Sequence, residues 1–353
     1  MKKILIISKE QFGYHTDIFK WCEYLRDEYS VEVVTFDGRP KVTIDDVKVN
    51  YVSNKGNRMI RGIRYILACL WHLLFFKGII MVCYFRECRI LKYCFPWKKM
   101  LLDIRTLSID SNEEIREKIN GLIKKATEQY DYVTIISDGT RNKIALPKEK
   151  SAILPLGADV VSTTDKSFDS IRMMYVGTLY NRDVHKTIEG LAIALKNNKS
   201  LDIHYDIIGD SQGNELSELK QLVKELNMED YVTLHGYIQH SRLKDFFDRC
   251  NVGVSFVPMT EFYEHQPVTK SFEYILSGLY TIGTATYCNK EIITSENGIL
   301  IDDTPESFAM GIESIINNVS SLNSEQIRAT LMQYQWKNIV GNFLKPILRE
   351  FIK

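Results

Sequence analysis

Two charged side chains, Lys270 and Glu273, stand three residues apart where a short apolar run gives way to a helical pattern. The run Val252-Gly-Val-Ser-Phe-Val257 is short and β-branched, as a strand buried on both faces should be. After a polar loop, Phe272, Ile275, Leu276 and Leu279 recur at helical spacing. Pro267 suits the first turn of that helix and Gly278 its stop, and Tyr280-Thr-Ile-Gly-Thr284 reads as the next strand. Lys270 then falls in the first turn. Its ammonium can act beside unpaired backbone N–H groups and the positive end of the helix dipole, an arrangement suited to a phosphate or diphosphate. Glu273 shares the face, and a carboxylate there can accept hydrogen bonds from a vicinal diol such as a ribose. The same spacing fits a solvated intrahelical ion pair, and spacing alone leaves both readings open.

The elements that would position such a site run through the whole chain. At 353 residues, with 45% hydrophobic and 25% charged residues, the composition is that of a soluble globular protein of two ordinary domains. In the first half, strands are expected at residues 4–8, 31–36, 79–84, 100–105, 131–137 and 151–155, with a helix over 16–28 that buries Phe19, Cys22, Tyr24 and Leu25. The second half repeats the alternation, with strands at 171–176, 201–210, 232–237, 252–257, 280–284 and 297–301. A helix over 186–197 turns Ile188, Leu191, Ala192 and Leu195 inward, and another starts at Pro305. This alternation predicts a doubly wound α/β fold, in which nucleotides bind at the C-terminal ends of parallel strands. The polar run 161–170 reads as a linker. Gly13 is a lone glycine in the first loop, not a GxGxxG fingerprint, which argues against a dinucleotide site.

Net charge is zero, yet its distribution is uneven. Residues 1–160 carry 27 lysines and arginines against 20 acids, and residues 161–353 carry 18 against 25. Within residues 55–105 eleven basic residues meet only two acidic ones, Glu87 and Asp103. Such a basic, aromatic-rich stretch could meet anionic lipid headgroups or a phosphorylated acceptor. No nucleic-acid recognition motif accompanies it, so nucleic acid is not an expected partner. The apolar stretch from Tyr65 to Phe76 is twelve residues, too short to span a bilayer, which needs roughly twenty. It reads either as a helix buried against the sheet or as an interfacial helix with Arg58, Arg61 and Arg64 at its polar entrance. The strand that follows immediately favours burial, and a mostly buried helix with its basic end on a membrane satisfies both. Seven scattered cysteines without metal spacing, Cys83, Cys88 and Cys94 among them, suggest reduced packing residues and a cytoplasmic protein without a signal peptide.

The segment Gln266-Pro-Val-Thr-Lys-Ser-Phe-Glu-Tyr274, followed by Ser277, Gly278 and an apolar strand, closely resembles the donor-site segment of family 4 retaining glycosyltransferases. Further segments match in order over nearly all of residues 1–350. The resemblance implies a GT-B fold, with two Rossmann-like domains whose parallel sheets face each other across a cleft. Residues 1–160 would form the acceptor-side domain, residues 161–334 the nucleotide-sugar domain, and a terminal helix from about 335 to 353 would cross back to the first.

It also implies roles. Glu273 would bind the ribose, and Gly177 to Asp183 would form the phosphate loop, with Arg182 gripping the diphosphate. Thr178 stands where the family often has arginine. Gly13 would approach the donor phosphates, unless it only makes a tight turn. Tyr237 would lie beside the base, as a stacking or a structural aromatic. Arg86, Asp103 and Arg105 would face the acceptor, although either arginine could form a structural ion pair. The family's second glutamate is replaced by His265, so the sugar-side contact passes to Glu264 or to backbone N–H groups near Gln266. The implied reaction retains anomeric configuration. Arg182, Lys270 and the helix N-terminus would stabilise the departing diphosphate of a UDP- or GDP-sugar, with no metal or other cofactor; no Asp-x-Asp motif or His/Cys cluster is present. A glycan or lipid-linked acceptor at the inner face of a membrane, in surface polysaccharide assembly, is the expected setting. A nucleotide-sugar epimerase and a non-catalytic partner subunit are the competing readings.

Overall fold

The computed structural model describes all residues except 199–200, 240–241 and 352–353. The chain divides into two compact units, Met1–Leu156 with Trp336–Lys353, and Gly157–Gln335. The first holds seven strands: β1 (Lys2–Ile7), β2 (Tyr29–Asp37), β3 (Val47–Ser53), β4 (Ile79–Cys83), β5 (Leu101–Ile104), β6 (Tyr132–Ile135) and β7 (Ser151–Ile153). They form one parallel sheet in the order β3-β2-β1-β4-β5-β6-β7. The second unit holds β8 (Ile171–Val176), β9 (Ile203–Ile208), β10 (Val232–Gly236), β11 (Val252–Ser255), β12 (Tyr280–Thr284) and β13 (Gly298–Ile301), ordered β10-β9-β8-β11-β12-β13. Both sheets reverse direction once, between β1 and β4 and between β8 and β11. Crossover connections leave in opposite senses at those points, which opens a crevice at the strand ends. This is the doubly wound α/β fold expected.

The central strands are continuous apolar runs because helices cover both faces. Ile4 to Ile7 and Ile79 to Val82 are buried throughout. The edge strand β3 alternates instead, with only Val52 buried, and was not anticipated; its polar alternation lacks the apolar run that marked the others. The helix Thr16–Leu25 buries Ile18, Trp21, Cys22 and Leu25, while the expected core residues Phe19 and Tyr24 are only half-buried. The helix His185–Asn197 turns Ile188, Leu191, Ala192 and Leu195 inward, the face read from the sequence. Cys83 and Cys88 are core residues, whereas Cys94 is exposed.

Three readings need correction. Residues 161–170 are not a free linker. Backbone N–H groups of Val161 and Ser162 donate to Ser277 Oγ at 3.1 and 3.2 Å, and the Asn251 amide donates to the Ser167 and Ser170 carbonyls, so polar groups of this segment are bonded into the second unit. The helix Arg58–Phe75 is not mostly buried. Only Tyr65, Cys69 and Leu73, spaced four apart, are fully buried, with Ile66, Ala68 and Leu70 packed part-buried beside them, because helix and sheet touch along one stripe. Finally, Pro267 lies outside its helix, which spans Thr269–Leu276 with Val268 at the N-cap. Gly278 does end it: at φ +80° the residue is in the left-handed region that glycine enters without steric cost.

The chain end returns to the first unit as Trp336–Ile339, a wider π turn over Val340–Leu344, and Lys345–Phe351. The expected last two residues of this helix fall outside the described residues. The π turn shifts the buried stripe to Ile339, Val340, Leu344 and Leu348 and leaves Phe343 at the surface. Lys345 and Arg349 pair with Glu28 at 2.7 and 3.0 Å, and those cations hold its carboxyl below the usual range. Trp336 is 2% exposed. Replacing it by alanine should destabilise the first unit by about 3–5 kcal/mol, through lost burial and the cavity left behind. Urea unfolding followed by circular dichroism would measure this, and an unchanged midpoint would show the chain end to be a passive appendage.

Candidate functional site

The site in the second unit is built from two loops that leave the sheet at its reversal. One follows β8 from Gly177 to Val184. Its residues Asn181 and Asp183 have φ +53° and +49°, left-handed values that asparagine and aspartate tolerate better than most. They flank Arg182 and set its direction. Such paired backbone strain is common at ligand sites and has no signal in residue spacing. The other loop follows β11 and leads into the helix Thr269–Leu276. A buried chain of hydrogen bonds fixes that helix from below. Ser255 Oγ and Ser271 Oγ lie 2.6 Å apart, Ser271 Oγ donates to Asn289 Oδ1 at 3.1 Å, and Asn289 Nδ2 donates to the Thr284 carbonyl at 2.9 Å.

Arg182 and Lys270 converge between these loops. The guanidinium carbon of Arg182 is 4.3 Å from the Tyr263 ring centroid, and Lys270 Nζ is 3.7 Å from that of Tyr175. Tyr175 is itself pinned by its hydroxyl, which donates to the Thr178 carbonyl at 2.7 Å. Neither cation has an ion-pair partner among the described residues. Lys270 is 9% exposed and donates only weakly, at 3.4 Å, to the Phe256 carbonyl. Burial first, and the Arg182 charge second, push its ammonium well below its ordinary pKa. Arg182 Nη1 is buried with no hydrogen-bond partner. Two aromatic faces hold two cations that repel each other, so an anion between them would relieve both costs. The intrahelical Lys270–Glu273 ion pair does not form. Glu273 is partly buried, and burial followed by the Asp159 carboxylate raises its carboxyl to about 7.

The remaining candidates are placed as follows. Thr178 is exposed in the loop, and Gly177 closes β8. Tyr237 is 75% exposed at the end of β10, so it is not the packed structural aromatic that was one reading of it. Glu264 accepts from the Tyr287 backbone N–H at 2.6 Å through Oε2, and His265 packs edge-on against the Tyr287 ring at 4.9 Å. The Gln266 N–H already donates to the Tyr263 carbonyl at 3.1 Å, which removes it as a free donor for sugar hydroxyls. Among the described residues no group of three His, Cys, Asp or Glu side chains could hold a metal ion.

In the first unit, Gly13 has φ +87°, and a Cβ there would meet Val42 at 2.6 Å, so the tight turn alone requires glycine. Arg105 is a structural arginine. Its Nε donates to Asp17 Oδ2 at 3.1 Å and its Nη1 to the Leu154 carbonyl at 2.7 Å, with the side chain 8% exposed. Asp103, fully buried, accepts from Thr134 Oγ1 at 2.7 Å and lies 4.0 Å from Arg105 Nη1. Burial raises its carboxyl to about 7 against the opposing pull of Arg105. Neither residue offers an open group to an acceptor. Arg86 is exposed and has no bonding partner among the described residues. Trp21, whose ring carries Arg105 at 5.4 Å, and Asp17 complete this cluster and were missed, since nothing in the local sequence distinguishes them from ordinary helix residues.

Residues 165–330 match the family model described as glycosyl transferases group 1. No curated protein sequence matches the chain. Sucrose-phosphate synthase from Thermosynechococcus elongatus is similar in structure at a TM-score of 0.77, with 17% identity and all of both chains covered. Anabaena HepE, solved with UDP and glucose, has a TM-score of 0.76 at 13% identity, covering 98% of this chain and 99% of its own. The lipopolysaccharide outer core galactosyltransferase WaaB has a TM-score of 0.70 at 15% identity, covering 99% of each chain. Residues 165–330 are thus similar to the glycosyl transferases group 1, and the fold of the chain is that of the GT-B glycosyltransferases.

Proposed function

We propose that this protein is a retaining, metal-independent glycosyltransferase that moves a sugar from a UDP- or GDP-linked donor to a glycan or lipid-linked acceptor in surface polysaccharide assembly. The observation that carries the reading is the convergence of the half-buried Arg182 and the buried Lys270, two cations without an acidic partner among the described residues, at the reversal of the second sheet. A diphosphate is the anion whose charge and length suit them. Breaking the anomeric C–O bond places further negative charge on the departing diphosphate, and cations already desolvated and oriented stabilise that charge without reorganising. Glu273, three residues from Lys270, is the carboxylate for the ribose diol, and Tyr237 offers an open ring for the base. HepE in complex with UDP and glucose, and WaaB as a lipopolysaccharide galactosyltransferase, support the donor and acceptor classes. The chain is further proposed to work at the inner face of an anionic membrane, which residues 55–105 meet through their basic side chains. No helix among the described residues is long and apolar enough to cross a membrane.

Thermal stabilisation by UDP and GDP, followed by anomeric analysis of the product, tests the reading. Epimerised donor formed without acceptor would establish the epimerase instead. Lys270→Met should raise the stability of the unliganded protein, because an enclosed unpaired charge is removed, while weakening nucleotide binding by about 2–5 kcal/mol. Arg182→Ala should weaken binding in the same direction. Calorimetric titration would check both, and unchanged affinity in both variants would end the assignment.

The contribution of Glu273 to the pH dependence of unliganded stability has a defined sign. Glu273 carries a folded pKa of about 7 against an ordinary 4.5, so its contribution is complete below 4.5 and is lost as pH rises through 7. Asp103 adds a loss that ends in the same window. Glu273→Gln should therefore remove part, not all, of the decline in urea-unfolding free energy between about pH 4.5 and 7. A slope equal to wild type would place the titrating group elsewhere.

Glu264→Gln separates two roles. Glutamine can still accept from the Tyr287 N–H, so nucleotide affinity should be kept. If the carboxylate also contacts the donor sugar, kcat should fall by about tenfold or more, since contacts made only in the transition state lower turnover in this way. Near-wild-type kcat would leave Glu264 as a cap for the helix Tyr287–Lys290, and His265→Ala would be the next measurement.

A further inference from the structure

A surface pocket of about 360 Å³ opens at the C-terminal ends of β1, β2 and β3 in the first unit. Lys9, Arg39, Arg58 and Arg61 line it, against a single acidic residue, Glu10. Its wall is built rather than incidental. The side chain of Gln11, 6% exposed, accepts from the backbone N–H groups of Gly38 and Arg39 at 2.8 and 2.6 Å and donates to the Arg39 carbonyl at 2.7 Å. That clamp holds the loop bearing Arg39, whose guanidinium stacks on Tyr14 at 4.9 Å. Lys9 is paired with Glu87 at 3.0 Å, and Arg61 Nη1 donates to Asn54 Oδ1 at 3.3 Å. Arg61 Nε, however, is buried without a partner, and Arg39 and Arg58 form no ion pair among the described residues. A pocket with this charge selects a phosphate or diphosphate group.

Arg58 and Arg61 open the helix Arg58–Phe75, and the rest of that helix has an unusual surface. Opposite its buried stripe, Met59, Ile63, Leu67, Trp71, Leu74 and Phe75 are each more than half exposed. Tyr93 and Trp97 are exposed at 82% and 73% on the segment whose short helix packs beside it. Apolar surface so continuous is uncommon on a protein face that meets only water. The cations on the same helix and beside it make an anionic lipid layer, not a neutral protein groove, its electrostatic complement.

We propose that the pocket and the helix form one site for a lipid phosphate: the apolar face lies in the membrane interface, and the pocket takes the phosphate or diphosphate of the acceptor lipid. Arg58 and Arg61 lie in the first turn of that helix, next to Met59 and Ile63 of its apolar face, so the pocket adjoins the end of the surface that would meet the lipid. The inference rests on the reading of the chain as a glycosyltransferase with a lipid-linked acceptor and names the chemistry that would hold that acceptor.

Vesicle sedimentation without any donor tests it. The full chain should bind phosphatidylcholine vesicles containing phosphatidic acid and bind vesicles of phosphatidylcholine alone about tenfold more weakly. The Arg39→Gln, Arg58→Gln double variant, altered at two exposed positions, should lose that preference. Leu67→Ser with Leu74→Ser should lose binding to both vesicle types and abolish the blue shift of fluorescence expected as Trp71 and Trp97 enter the interface. Equal binding to the two vesicle types, or wild-type behaviour of either double variant, would overturn the proposal. Stabilisation by inorganic phosphate without vesicle binding would also overturn it, by assigning the pocket to a soluble anion. Thermal stabilisation by UDP, measured on every variant, reports on the second unit alone. Its loss in wild type would fault the donor reading, whereas vesicle failure with UDP binding kept would fault only this inference.

Discussion

A parallel sheet wound in two directions must reverse once, and at the reversal the connecting chains part. Much of this protein depends on that constraint. In the second unit the loops after β8 and β11 separate at the reversal, and the positions at which they leave the strands are occupied by Gly177 to Val184 and by the approach to Thr269. Side chains from both loops, Arg182 and Lys270, therefore meet at one crevice without any long-range device to bring them together. The first unit reverses between β1 and β4, and its built pocket lies on the β1 side of that point.

Electrostatics then distinguishes the crevice from the core around it. Lys270 is enclosed beside Arg182, and both rest on tyrosine rings instead of carboxylates. A fold optimised for stability alone would not retain this arrangement, because desolvating two like charges costs free energy that ring contacts only partly offset. The contrast with Arg105 is informative. That guanidinium is equally enclosed, but Asp17, Asp103 and two carbonyl groups satisfy it, and it serves the fold. The same residue type thus has opposite meanings according to whether the protein supplies its partner.

The helix Arg58–Phe75 departs from the rule that apolar faces turn inward. Three buried residues, with Ile66, Ala68 and Leu70 part-buried beside them, anchor it to the core, and a second apolar face points away. Helix propensity and capping by Asn57 account for its being a helix, but not for the side that is exposed. A surface of this kind has a physical reason to persist where the solvent on that side is not water.

From the sequence alone, the alternation of short β-branched runs with 3.6-residue periodicity determined the doubly wound class, because buried parallel strands and one-sided helices leave distinct patterns. The helix carrying Lys270 and Glu273, its stop at Gly278 and the inward face of His185–Asn197 were legible for the same local reasons. Edge strand β3 was not, since its alternation resembles an ordinary polar segment. What the tertiary structure decided were relations between distant residues: that Arg182 and Lys270 converge while Lys270 and Glu273 do not pair, and that Arg105 is satisfied by Asp17, 88 positions away. It also decided which face of the helix Arg58–Phe75 is covered and that a π turn rotates the buried stripe of the chain end. Periodicity records that one face is apolar, but the direction in which a face or a charge points is set by the neighbours that packing supplies.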